Sequence, residues 1–225
     1  MKRLRWTVNA ALAGAAAFGF GYALPVIAQD EAEVKIELPA PVFGGTPLDY
    51  FSDNLEERSY KPREPFKAPA GTELLSKGKP VTCSTQTNFG KLEQITDGDK
   101  EAYDSSLVEV KKGAQWVQID LGKTAEVHGV VVWHYHAAER VYFDTIVKVS
   151  DDPNFEKDAT TIYNNDHDNS AGLGVGEDKE YIETYEGRLI KGKAAKGRYV
   201  RLYTNGNTTD DANHYLEVEV FGKPL

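Results

Sequence analysis

The densest set of groups able to grip a polar ligand is Trp133-His-Tyr-His-Ala-Ala-Glu-Arg-Val-Tyr142. Imidazole, carboxylate and guanidinium can fork pairs of hydroxyls, and a tyrosine face can cover the apolar side of a sugar ring. If the stretch begins as a strand, His134 and His136 point to one side about 7 Å apart, near enough to line one pocket or to share a metal ion. A metal needs a third ligand that the spacing does not fix, so His134, His136, Glu139, Arg140 and Tyr142 read first as a polar pocket. A solvated loop following a structural tryptophan is the plainer alternative.

Two acidic stretches raise the question of cations. In Ile95-Thr-Asp-Gly-Asp99 a tight turn can bring carboxylates and carbonyls together, the all-oxygen shell that calcium requires. The turn is served equally well if Asp97 and Asp99 only accept backbone N–H groups. Asp166, Asp168, Ser170 and Glu177 fall on ligand places of a helix-loop-helix calcium loop. Ala171 stands where that loop needs glycine and no amphipathic helix flanks it, so a solvated polar loop is the reading taken. The sequence contains no Gly-x-Ser-x-Gly, His-Glu-x-x-His, Cys-x-x-Cys, phosphate-loop or dinucleotide fingerprint.

Strands must carry these groups. From about Leu74 onward no long 3.6-residue period occurs. Val117, Ile119 and Leu121 alternate with Trp116, Gln118 and Asp120, and the pattern repeats at Val147 and Val149, Val200 and Leu202, and Leu216, Val218 and Val220. Val127 to Tyr135 is apolar almost throughout and reads as a central strand. Short strands bounded by Gly, Asn and Asp clusters predict an all-β sandwich or jelly roll over residues 74–225. Two long polar loops, Asn164 to Asp178 and Thr204 to Asn213, are placed to bind; the second adds Asn205 and Asn207 to the candidate ligand residues.

The basic opening, the small apolar run from Ala10 to Ala23 and Val26-Ile-Ala28 have the form of a secretory signal peptide, residues 1–28. The run is broken by Gly14, Gly19, Gly21 and Pro25 and is too short to span a bilayer, so a secreted or periplasmic protein without an integral membrane segment is expected. Cleavage removes Lys2, Arg3 and Arg5 and no acid, taking the formal net charge from −9 to −12. Such a field repels phosphate backbones and argues against nucleic acid as a partner. Cys83 is the sole cysteine, so no intramolecular disulfide can form. Residues 29–73 hold six of the ten prolines, yet also Phe43, Tyr50, Phe51, Tyr60 and Phe66. That is rich in aromatics for a spacer and predicts a segment that docks on the domain or on a partner.

Gln115-Trp-Val-Gln-Ile-Asp-Leu-Gly122, Arg198-Tyr-Val-Arg-Leu-Tyr203 and His214-Tyr-Leu-Glu-Val-Glu-Val-Phe-Gly222, with Ile95-Thr-Asp-Gly-Asp99 ahead of the first and Val147-Lys-Val-Ser-Asp-Asp152 between the first two, resemble in order and type the coagulation-factor type C, or discoidin, domain. The resemblance covers roughly Leu74 to Gly222. It implies a galactose-binding-domain-like jelly-roll β-sandwich that is non-catalytic and binds carbohydrate through loops at one end. It also implies a structural calcium held by Asp97, Asp99 and Glu217, although Ala102 replaces a residue that often coordinates. The expectation is therefore an exported module for a carbohydrate or cell-surface glycan. The alternatives are an accessory subunit binding another exported protein and, less favoured, a His-based metal-binding protein or enzyme.

Overall fold

The computed structural model describes residues 30–42 and 49–225. The expected signal peptide and Phe43 lie outside the described residues. In chain order the strands are β1 (Glu31–Glu33), β2 (Lys67–Pro69), β3 (Glu73–Leu74), β4 (Val81–Cys83), β5 (Thr87–Phe89), β6 (Val108–Val110), β7 (Gln115–Trp133), β8 (Ile146–Ser150), β9 (Thr160–Asn164), β10 (Arg188–Thr204), β11 (Asn213–Tyr215) and β12 (Glu217–Pro224). Two 3-10 turns, Leu92–Thr96 and Asp104–Ser106, are the helical elements among the described residues. No described helix is long and apolar enough to cross a membrane.

One sheet runs β3-β12-β7-β10-β8-β9, with β4 also on β7; a second runs β11-β6-β5. β7 and β10 are 19 and 17 residues long. At about 3.3 Å per residue each would reach beyond a domain of this size if straight. They bend instead. Their register shifts between Lys191 and Ala195 and between Gly197 and Tyr199, and that of β12 on β7 shifts between Phe221 and Gly222. The two halves of β7 consequently face one core: Val117, Ile119 and Leu121 from the first, Val130 and Val132 from the second, with Val108, Val149, Leu202 and Val218. The inward parity flips at the bulge, as a one-residue slip requires. The alternating segment from Gln115 and the apolar segment from Val127 are thus one folded strand, where the sequence suggested two.

The second half of β7 is apolar throughout because it is buried on both faces. Val131 and Trp133 point away from the main core into a second cluster with Phe66, Ala68, Leu216 and Phe221, against which Val34, Ile36 and Val42 pack. The cover is the N-terminal segment. β1 pairs antiparallel with β2, and the Val34 N–H donates to the Phe66 carbonyl at 2.8 Å. Residues 50–63 continue along Lys179 to Arg188. The Tyr50 hydroxyl donates to Glu180 at 3.0 Å, the Glu56 carboxylate forks Arg188 at 2.7 and 2.9 Å, and Arg63 donates to the Glu186 carbonyl at 2.8 Å. Phe51 and Tyr60 remain 89% and 87% exposed.

Candidate functional site

Because β7 and β10 fold over, the ends of β7, β9 and β10 lie together and launch three connections from one end of the sandwich: residues 134–145, 165–187 and 205–212. Trp133 locks the first two. Its buried indole N–H donates to the Tyr185 carbonyl at 2.9 Å, and Gly187, at φ +65°, lets the chain pass under the ring.

The predicted ligand residues divide among three environments. His134 and Tyr142 are interior groups, 0% and 1% exposed, with rings stacked at 4.4 Å. His134 Nδ1 meets Glu183 Oε1 at 2.5 Å, and the Tyr142 hydroxyl meets His214 Nδ1 at 3.0 Å. Burial holds the Tyr142 hydroxyl well above its usual range, so it stays protonated. The assignment of His134 and Tyr142 to a solvent-facing pocket is corrected: the stack that closes the loop end takes up both ring faces that a ligand would need.

Arg140, Asn205 and Asn207 form a rim. Arg140 lies 4.9 Å over Tyr135 and donates to Asp210 at 3.1 Å. Asn207 is committed to its own turn: its amide donates to Asp210 and Ala212 and its oxygen accepts from Thr209 and Asp210. It shapes the loop and has little left to offer a ligand. Asn205 donates to Asp144 at 2.7 Å. Asp144, Asp166 and Asp168 are the one described group with metal-ligand atoms within 4.8 Å of one another. Asp166 is fully buried, which raises its carboxyl pKa, and it accepts the Ser170 and Ala171 N–H groups. The solvated-loop reading of this stretch therefore fails at Asp166, whose carboxylate organises the turn from inside.

His136 and Glu139 line a cavity of about 1190 Å³ between the end of the sandwich and residues 56–67. Tyr181, Glu183 and Arg188 also line it. His136 Nε2 lies 3.0 Å from the Lys100 carbonyl, which can only accept, so that nitrogen carries the proton and Nδ1 is left as an acceptor. His136 Nδ1, Glu183 Oε2, the Tyr181 hydroxyl and Arg188 Nε are all buried without a protein partner. Burial keeps Tyr181 protonated as a donor. These four atoms belong to residues that line the cavity but are themselves closed to solvent, and each costs about 1–3 kcal/mol if left unpaired. Sequence reasoning missed Tyr181, Glu183 and Arg188. The alternation Tyr181-Ile-Glu183 was the available signal, since it sets both polar tips on one side.

The expected calcium turn is partly assembled. Glu217, 1% exposed, accepts the Gly98 N–H at 3.0 Å, and burial, then Glu219 and Asp97, push its carboxyl up to about 9. A buried carboxyl facing Asp97 is a donor set that suits a cation. Asp99 points elsewhere, accepting Ser106 Oγ at 2.8 Å and the Glu101 N–H at 3.1 Å. The three carboxylates do not converge as a cluster. His134 and His136 join no metal-type group among the described residues either.

Residues 94–202 match the family model described as an F5/F8 type C domain, NedA-like, galactose-binding. Similar solved structures include a family 89 glycoside hydrolase from Clostridium perfringens in complex with GlcNAc-alpha-1,4-galactose, with 19% identity and a TM-score of 0.50 over 67% of this chain. The match spans 15% of that enzyme's chain. The lectin-binding domain of lectinolysin, complexed with Lewis b, matches at 19% identity and TM-score 0.47 over 68% of this chain and 98% of its own. A chitosan-binding module from a Paenibacillus sp. IK-5 chitosanase/glucanase matches at 21% and 0.41 over 67% and 99%. No curated protein matches the chain. The strand order and the folded β7 give this chain a galactose-binding-like β-sandwich, within which residues 94–202 match the F5/F8 type C family.

Proposed function

We propose that the chain is an exported, non-catalytic carbohydrate-binding module that takes its glycan in the loop-end cavity. The observation that carries this reading is the cavity of about 1190 Å³ under residues 56–67, whose lining mixes guanidinium, imidazole, carboxylate and phenol groups at Arg58, His136, Glu139 and Tyr60. A sugar hydroxyl donates once and accepts twice, so neighbouring hydroxyls of one ring suit a floor that mixes donors and acceptors. The acidic field of the chain favours a neutral glycan. The complexes of the structural neighbours with GlcNAc-alpha-1,4-galactose and Lewis b lend support by analogy of fold.

Calcium, in this reading, sits at Asp97 and Glu217 and is structural. It would neutralise the buried Glu217 carboxylate and fasten the Asp97-Gly98 turn to β12. Glycan-array screening of the full chain, with His136→Ala beside it, tests the function. Binding that is lost in the variant supports it, and an array blank for the unaltered chain overturns it.

A further inference from the structure

Carbohydrate sites pair hydrogen-bonding groups with a flat aromatic wall, and the buried Tyr142 cannot supply one here. Tyr60 can. Its ring is 87% exposed and lines the same cavity as His136, Tyr181 and Glu183. It belongs to the N-terminal segment, outside the matched residues 94–202. The stretch that carries it is pinned on both sides. The Glu56 N–H donates to the Glu180 carbonyl at 2.9 Å, and the Arg63 N–H donates to the Glu186 carboxylate at 2.9 Å. Between those anchors Arg58 forks Glu139 with bonds of 2.6 and 2.7 Å, tying the strap to the loop that carries His136.

We infer that the N-terminal strap completes the glycan site, with Tyr60 as its stacking wall and the Arg58–Glu139 pair as a crossbar, and that the site takes the terminal sugars of a glycan. The inference rests on the carbohydrate reading above. A crossbar held by a bidentate ion pair and anchored at both flanks obstructs the middle of a polymer more than a chain end. A volume of about 1190 Å³ suits a short oligosaccharide, since pockets of about 300–1,000 Å³ already enclose drug-sized ligands. Tyr60 carries recognition in this arrangement, and Arg58 positions the strap that presents it.

The test uses the full chain and titrates galactose-, N-acetylglucosamine- and mannose-terminated oligosaccharides, from mono- to hexasaccharide, tethered at the reducing end. Tyr60→Ala is expected to weaken the bound series about fivefold, the scale of one lost aromatic contact, while Tyr60→Trp retains affinity. Because the ring is exposed, the melting temperature should stay constant in both. Affinity should level off at the trisaccharide in the unaltered chain and keep rising with length in Arg58→Ala. Glycan binding indifferent to Tyr60→Ala, or rising through the hexasaccharide in the unaltered chain, overturns the inference and leaves the carbohydrate reading intact. Absence of binding across the whole series overturns both.

Discussion

Gly129 lies directly beneath the Phe66 ring: a Cβ on Gly129 would come within 2.5 Å of Phe66 Cζ. A strand of the sandwich and the segment that precedes it are therefore fitted to each other at one missing methyl group. Gly129→Ala should expel Phe66, at a cost of about 1–3 kcal/mol in packing. Because the β1–β2 pair hangs on the same contact, amide exchange at Ala32 and Val34 should rise well before that of β7. Uniform protection across both would show that the segment is held independently of Phe66.

Gly187→Ala probes the lock at the loop end. The position is at φ +65° and a Cβ would lie 2.7 Å from the Trp133 indole, so both backbone strain and overlap oppose the change. A loss of about 2–4 kcal/mol in unfolding free energy is expected, read from denaturant midpoints. A loss below about 1 kcal/mol, the cost of a helix-interior glycine exchange, would contradict the tight approach.

Tyr142→Phe separates an interior role from a ligand-binding one. Removing the hydroxyl deletes the bond to His214 and should cost about 1 kcal/mol of stability. Glycan affinity should be unchanged, because the ring is stacked on His134 and closed to ligand. Affinity that falls while stability holds would return Tyr142 to the binding site.

Glu217 predicts how pH and calcium interact. Its carboxyl rises from 4.5 in the open chain to about 9 in the fold, with burial the largest cause. The fold thus favours the protonated form: that contribution is complete below the open-chain value and is lost as pH climbs toward 9. In chelator the melting temperature should fall across that window, and Glu217→Gln should flatten the fall. Calcium should flatten it for the unaltered chain. Parallel profiles for the two proteins in chelator would show that Glu217 is not the group responsible.

The parts of the fold written in local pattern were legible in the sequence. Val117, Ile119 and Leu121 announce a half-buried strand because one face meets the core and the other meets solvent. Val127 to Trp133 announces burial on two faces but not what covers the second, since Phe66 and Val34 reach it from 60 residues or more away in the chain. The candidate site was half legible for the same reason. His136 and Glu139 have the right chemistry at the right end, whereas Tyr142 has the right chemistry and is removed by its stack on His134. Glu183 and Tyr181 join the cavity lining only because the strap roofs them, a contact that no spacing within either segment encodes. Glu217 follows from family resemblance, while the diversion of Asp99 to Ser106 depends on a turn whose geometry the sequence does not specify.

A crystal structure of the full chain with an oligosaccharide selected on the array would show whether the glycan enters the cavity under the strap. Sugar is expected in the cavity beside His136 and Glu139, with one ring against Tyr60. Sugar bound on the Arg140–Asp210 rim, with those three side chains untouched, would contradict it.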